Sequence, residues 1–204
     1  MNILTDEQMT ALLEAGYELR SREFKSPFLW SDANSRWLKE KVTRAVLGMT
    51  NTRLSGQIII GVGEGKQKEL ILRGLTDDQV DSFKDYDRIK GYIDGFSHTE
   101  TNFDISWGES QSKKYVVFTI QEFYEIPAIC KKDGQEKNIL KKDIIYARSK
   151  KAPYSTIPVT DIELREIIHM AVDKEKNDLK TRGWTKNDEV LPEDFYKSKI
   201  KDID

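Results

Sequence analysis

Three glutamates and a lysine have the residue types of a metal-dependent hydrolytic site. Glu18 and Glu23 bracket a Leu-Arg-Ser-Arg segment, Lys25 follows closely, and Glu64 comes after a strongly apolar run. Clustered carboxylates supply the oxygen ligands that suit Mg²⁺ or Mn²⁺. A bound ion of this kind can activate water and stabilise the charge on a reacting phosphodiester. The candidate metal ligands are therefore Glu18, Glu23 and Glu64, and Lys25 is the candidate contact to the scissile phosphate.

The spacing of the first two glutamates leaves two alternatives open. Five positions along a regular strand place Glu18 and Glu23 on opposite faces, so that they converge only where a bulge or loop lies between them. The chain has 35 acidic residues, and three of them can equally be surface charges with no chemistry.

A glycine cluster from Gly61 to Gly65 lies directly before Lys66. A phosphate-binding loop needs a glycine four residues before the Gly-Lys pair and a Ser or Thr after it, but these positions are Ile60 and Gln67. A dinucleotide fingerprint needs a third glycine where Lys66 stands. The cluster therefore predicts a turn at the end of a strand, and no nucleotide cofactor.

Basic residues are concentrated in two stretches although the formal net charge is −2. Residues 131–151 hold eight bases against three acids, and residues 17–48 hold seven against four, whereas residues 76–110 hold nine acids against three bases. Such segregation can present a positive face to phosphates, although scattered charges on a solvated hairpin would look the same. The candidate nucleic-acid contacts are Arg20, Arg22, Lys141, Lys142, Arg148, Lys150 and Lys151.

Several classes of function are disfavoured by composition. One cysteine, Cys130, excludes an internal disulfide and a cysteine-rich zinc site, and His98 and His169 are the only histidines. Apolar runs fall short of the roughly 20 residues that a membrane span needs, and the first residues do not resemble a signal peptide. We therefore expect a cytoplasmic protein without a membrane partner.

The chain pattern predicts the elements that must position these residues. Helices are expected after capping boxes at Thr5, Thr76 and Thr160, and a further helix from residues 34–35 to about Leu47. Buried strands are expected at 57–62, 69–74, 103–107 and 115–121, with a hairpin around Asp133-Gly134 that joins 128–131 to 139–142. The expected organisation is an N-terminal helix (1–16), one α/β domain with a mixed sheet flanked by helices (17–158), a C-terminal helix (159–180) and a charged tail (181–204).

Several of these motifs together resemble one known family. They are Glu-x-x-x-x-Glu-Phe-Lys at 18–25, a following helix, Asn51-Thr52, the segment 55–64, Arg73-Gly74-Leu75 and Ile-Tyr-Ala-Arg at 145–148. Their order and spacing over roughly residues 17–150 resemble the Schlafen-type AlbA-like domain. The family's Asn-Thr-x-Gly-Gly element is altered, since residues 51–56 contain one extra residue and a serine in place of the first glycine.

The resemblance implies a nucleic-acid-binding fold. In the ribonuclease branch of the family, three carboxylates bind a divalent metal ion and cleave structured RNA such as tRNA. Glu18 and Glu23 match two of them, and Glu64 falls where that branch more often has Asp. Family nucleases assemble two lobes into a groove, so that a single-lobed chain is expected to form a homodimer. Prokaryotic relatives occur in defence systems, which implies antiviral defence and a larger defence complex as a partner.

Three functions follow as hypotheses. The first is a metal-dependent endoribonuclease in which Glu18, Glu23, Glu64 and Lys25 act together, while the basic stretches hold the RNA backbone. The second is a non-catalytic DNA- or RNA-binding regulatory module in which the carboxylates only pair with neighbouring cations. The third is a protein-interaction subunit of a larger complex, in which residues 173–204 bind the partner.

Overall fold

A computed structural model describes residues 2–14, 19–53, 56–65, 69–136 and 138–182. Its helices are α1 (Asp6–Glu14), α2 (Arg36–Thr50), α3 (Asp77–Asp81), α4 (Tyr86–Asp94) and α5 (Asp161–Thr181). Its strands are β1 (Asn2–Ile3), β2 (Arg22–Lys25), β3 (Gly56–Ile60), β4 (Val62–Glu64), β5 (Leu70–Leu72), β6 (Phe103–Ser110), β7 (Lys113–Ile120), β8 (Tyr146–Arg148) and β9 (Thr156–Pro158).

The main sheet has five strands in the order β1-β6-β7-β3-β2. The outer pairs β1–β6 and β2–β3 are parallel, whereas β6–β7 and β3–β7 are antiparallel. Helix α2 makes the crossover that the parallel pair β2–β3 requires. This arrangement confirms the predicted α/β fold with a mixed sheet flanked by helices.

Both faces of the sheet are covered by apolar side chains. On one face, α2 packs Val42, Val46 and Met49 against the β3 residues Ile58 and Ile60. On the other face, the α1 residues Met9 and Leu13 pack with Phe24, Ile59 and Val117. The run at 58–60 is buried on both faces, which explains why it has no polar alternation.

Gly61 separates β3 from β4, although the sequence predicted one strand over 57–62. Its φ is +118°, a conformation that favours glycine. The chain leaves the main sheet at this residue, and β4 then pairs with β5 in a separate two-stranded sheet. Strands β8 and β9 form a third small sheet.

The acidic helix predicted from Thr76 to about Ile93 is two helices. The capping box at Thr76 is confirmed, but α3 ends at Asp81 and α4 begins after Asp85, whose side chain accepts a hydrogen bond from the Arg88 backbone N–H. Phe83 lies between the helices and is fully buried. Burial of this ring fixes the turn that breaks the helix.

The predicted hairpin around Asp133-Gly134 is wrong. Within the described part of this segment, residues 128–131 make only isolated bridges, Ser97 with Cys130 and Ile129 with Ile145, and 139–142 are turn and irregular backbone. Buried Glu40 holds the loop instead, since its carboxylate accepts hydrogen bonds from the Gln135 and Glu136 backbone N–H groups. A long-range polar contact therefore shapes this segment.

Helix α5 begins at the predicted capping box, where Thr160 and Glu163 bond reciprocally. Ile167 and Met170 are buried, whereas Ile168 and His169 are exposed. Among the described residues, no helix is long and apolar enough to cross a membrane. Of the tail expected over 181–204, Thr181 still belongs to α5 and residues 183–204 lie outside the described residues. The expected domain boundaries stay a prediction.

Candidate functional site

Glu23 is the candidate carboxylate that the structure describes most fully. It lies on β2, opposite Ile58 of β3, and is 8% exposed. Its Oε2 accepts a hydrogen bond from Arg148 Nη1 at 2.5 Å, and its Oε1 pairs with Lys25 Nζ. Two cations therefore engage both oxygens of the buried carboxylate, which offsets the cost of removing its charge from water.

Arg148 lies on β8 and has no exposed surface. Besides Glu23 and the Thr156 hydroxyl, its guanidinium donates to the backbone carbonyls of Leu19, Arg20 and Arg22. These five hydrogen bonds use all five N–H donors of an arginine. The prediction that Arg148 contacts nucleic-acid phosphate does not fit this arrangement, in which the side chain fixes the turn before β2.

Glu166 of α5 forms ion pairs with both Arg20 and Lys150, which were predicted to contact phosphate. Arg20 forms a bidentate pair with Glu166 at 3.1 and 2.5 Å, and Lys150 Nζ lies 3.1 Å from the same side chain. Burial alone would raise the pKa of Glu166, but hydrogen bonds from the two cations outweigh it and lower the pKa. Arg20 Nε also donates to the Arg148 carbonyl, so that this network ties α5 to the site.

Asn51, one of the motif residues, holds the strand that carries Arg148. Its side-chain amide donates to the carbonyls of Ala128 and Tyr146, and its Oδ1 accepts from the Ala128 N–H. All of these groups are buried. Asn51 therefore acts through backbone geometry and has no exposed surface with which to contact a substrate.

Lys41 is a site residue that the sequence reasoning missed. It lies on α2, with its Nζ 3.7 Å from the ring centre of Trp37, one turn earlier on the same helix. Burial lowers the pKa of Lys41, nearby Lys25 lowers it further, and Glu23 partly offsets both effects. Trp37 is 47% exposed, so that its ring is open to solvent. The sequence signal was present, since an exposed aromatic and a lysine four residues apart lie on one helical face.

Glu64 ends β4 and is exposed. Its negative charge raises the pKa of Lys41, so that the two side chains interact electrostatically. Among the residues that the structure describes, Glu64 has no ion-pair partner, and no three carboxylate, histidine or cysteine side chains form a group that could hold a metal ion. Glu18 lies outside the described residues. Glu23 and Glu64 alone do not complete a magnesium or manganese site, and Glu23 is already engaged by two cations.

The remaining predicted phosphate contacts are dispersed. Lys141, Lys142 and Lys151 are exposed, and Lys142 Nζ lies 3.9 Å from Asp143. Arg22 is half-buried, and its Nε has no hydrogen-bond partner in the described parts of the chain. The structure thus brings together Glu23, Lys25 and Lys41, and assigns Arg20 and Arg148 to internal contacts.

Comparisons with known proteins give only distant likenesses. No protein-family model matches the sequence, and no curated protein matches it. The solved structures that match include the DIP2311 protein from Corynebacterium diphtheriae, at 16% identity and a TM-score of 0.48, with 79% of this chain and 27% of that chain covered. They also include the N-terminal domain of an ATP-dependent DNA helicase RecG-related protein from Nitrosomonas europaea, at 15% identity and a TM-score of 0.39, with 78% and 92% covered. This chain thus spans about a quarter of the length of the first of these proteins.

Proposed function

We propose that this protein binds nucleic acid through its phosphate backbone, on the face formed by Lys25, Lys41 and Trp37. The observation that carries the proposal is the juxtaposition of Lys25 and Lys41. Two lysines whose charges repel each other act together with buried Arg148, and the carboxylates of Glu23 and Glu64 offset these three positive charges only in part. A phosphodiester would relieve this excess positive charge, and the exposed Trp37 ring could stack on an unpaired base.

The resemblance to the Schlafen-type AlbA-like domain supports the same class of ligand. It also supports RNA over DNA, and a homodimer in which a second copy extends the binding face. Light scattering on the purified protein tests the dimer independently of any ligand, since a particle mass near twice the 23.7 kDa of the chain is expected.

A metal-dependent endoribonuclease is the second candidate function. The exposed and unpaired Glu64 beside Lys41 favours it, because an unpaired carboxylate next to a phosphate-binding lysine is a suitable metal ligand. The described residues supply too few ligands for the ion, so that this candidate depends on Glu18. If Glu18, Glu23 and Glu64 bind a metal ion, Lys25 would release Glu23 and bind the phosphate of the RNA instead.

Binding is tested by fluorescence anisotropy with a labelled tRNA and a labelled single-stranded DNA, at two salt concentrations. We expect salt-sensitive binding to tRNA that Lys41→Gln weakens, while Lys176→Gln on the exposed side of α5 removes the same charge without effect. Equal weakening by both variants, or no binding at low salt, would contradict the proposal and favour the protein-interaction hypothesis.

Cleavage is tested on the same tRNA with Mg²⁺, Mn²⁺ or a chelator. Glu64→Gln is the variant of choice because Glu64 is exposed and unpaired in the described chain, so that its loss leaves the fold intact. Glu23→Ala is unsuitable, since it leaves Arg148 buried without a counter-charge. Metal-dependent cleavage that Glu64→Gln abolishes supports the nuclease, and unchanged binding without cleavage supports the non-catalytic module.

A further inference from the structure

A cavity of about 440 Å³ lies between α2, α4 and the loop after Cys130. Four cationic side chains line it: Arg36, Lys39, Arg88 and Lys132. Glu40 is the one acidic residue of the lining. This volume lies within the range of roughly 300–1,000 Å³ that is usual for small-ligand sites.

Positive side chains outnumber negative ones in the lining of this cavity. In the described ranges, none of the four cations has a carboxylate within ion-pairing distance. The carboxylate of Glu40 is held by the Gln135 and Glu136 backbone N–H groups at 2.7 and 3.2 Å. Burial lowers the pKa of Lys39, the charges of Arg88 and Arg36 lower it further, and Asp32 partly offsets these effects. The four cations thus outnumber the nearby carboxylates of Glu40 and Asp32, and the cavity keeps a net positive charge.

Aromatic rings hold two of these lysines over the cavity. Lys132 Nζ lies 4.5 Å from the ring centre of Phe96, and Lys39 Nζ lies 5.9 Å from that of Tyr92. Cation–π contacts of this length orient an ammonium group without neutralising it. The lysines are therefore placed in advance for an anion.

Glycine on α4 leaves room for that anion. A Cβ at Gly91 would meet no atom within 4 Å, and Gly91 lines the cavity together with Gly95 and Arg88. These three positions lie on one helical face. A glycine inside a helix lowers stability relative to alanine. At position 91 the absence of a side chain keeps this wall of the cavity open.

We infer that this cavity binds the phosphate group of a small phosphorylated molecule, at a site separate from the face formed by Lys25, Lys41 and Trp37. Arg36 and Arg88 supply planar donors that match phosphate oxygens, and Lys39 and Lys132 supply point charges. Lys41 belongs to that other face. It projects from α2 in a direction well away from Arg36 and Lys39, because successive residues are rotated by about 100° around a helix. The two sites can therefore be tested independently.

The test is titration calorimetry of the full chain with pyrophosphate and with AMP. Saturable binding with one site per chain is expected, and Gly91→Leu should weaken it about tenfold or more by filling the space and displacing a charge-assisted contact. The double variant Lys39→Gln/Arg88→Gln should weaken it similarly. Leucine is a better helix former than glycine, so that Gly91→Leu keeps the fold, and Lys176→Gln is the matched charge control.

Each result decides the inference. Binding of both anions that only the cavity variants weaken supports a phosphate site, and tighter binding of AMP adds a contact to its nucleoside. Anion binding that Gly91→Leu leaves unchanged, or that Lys176→Gln weakens equally, would overturn the inference in favour of general surface charge. Loss of tRNA affinity in Gly91→Leu, without any binding of the small anions, would also overturn it and assign the cations to a nucleic-acid backbone.

Discussion

Arg148 Nη1 donates to Glu23 Oε2 at 2.5 Å, and this buried ion pair joins residues 125 positions apart in the chain. The same guanidinium binds three carbonyls of the turn that precedes β2. One side chain therefore contacts both the buried carboxylate and the backbone of the candidate site. The sequence analysis had grouped Arg148 with the candidate phosphate contacts, whereas in the structure its side chain makes internal contacts with Glu23, Thr156 and the turn at 19–22.

Breaking this pair from either side should destabilise the protein strongly. Glu23→Gln leaves Arg148 buried without its counter-charge, and Arg148→Met removes five hydrogen bonds and leaves Glu23 with Lys25 as its remaining cation. We expect each variant to lose about 3–5 kcal/mol in the free energy of unfolding. Urea denaturation followed by circular dichroism measures it. The double variant should lose less than the sum of the single losses, and strictly additive losses would mean that the two side chains do not act as a pair.

The Arg20–Glu166 pair should hold α5 against the rest of the fold. Glu166→Gln removes a bidentate charge-assisted contact, and a loss of about 1.5–3 kcal/mol is expected. Hydrogen exchange should accelerate in α5 and in residues 19–22 more than in the main sheet. Glu175→Gln on an exposed position of the same helix is the control. Acceleration spread evenly over the molecule would argue against a local connection.

Acid should weaken the start of α5 through Glu163. Burial would raise the pKa of this carboxyl, but hydrogen bonds from the Lys150 and Thr160 backbone N–H groups and the Thr160 hydroxyl lower it to about 2. Its folded pKa is below the ordinary 4.5, so its stabilisation is present above pH 4.5 and is lost as the pH falls toward 2.

Glu163→Gln tests this pH dependence. The variant should be less stable than the parent at pH 7, by about 0.5–2 kcal/mol for a weakened cap, and the difference should shrink as the pH falls below 4.5. Thermal unfolding at several pH values measures it. A difference that stays constant down to pH 2 would show that the ionisation of Glu163 does not contribute.

Gly61→Ala should destabilise the junction between β3 and β4. The residue has a φ of +118°, and its added Cβ would lie 2.8 Å from Tyr115 Cδ1, on a ring that is fully buried. We expect a cost of about 1–3 kcal/mol. Gly91→Ala is the matched control, because its Cβ meets open space within a helix, and it should be neutral or stabilising. Equal behaviour of the two variants would remove the special role of Gly61.

Local signals in the sequence were sufficient for much of the fold. The capping boxes at Thr5, Thr76 and Thr160 are each contained within four residues, and all three are present. The apolar run at 58–60 is a buried strand of the main sheet. The break between α3 and α4 was missed because it depends on the burial of Phe83, which residues far along the chain provide.

The candidate site was less predictable for the same reason. Arg148 was predicted as a phosphate contact, yet three of the groups that its buried guanidinium binds are carbonyls of residues 19–22. Lys41 was missed because its relation to Lys25 and Glu64 arises only when α2 crosses the sheet. Sequence spacing describes neighbours within one element, whereas the residues of this site come from four elements, β2, α2, β4 and β8.

The contacts of Arg148 with Glu23 and with the carbonyls of residues 19, 20 and 22 also determine when the site can form during synthesis. A ribosome makes Glu23 early, but its guanidinium partner is added only after more than a hundred further residues. Until then the turn at 19–22 lacks its donors, and a chain that stops before β8 cannot acquire them. Contacts of such long range form late in folding. Only copies translated past residue 148 can therefore form the Glu23–Arg148 pair and its contacts to the turn at 19–22.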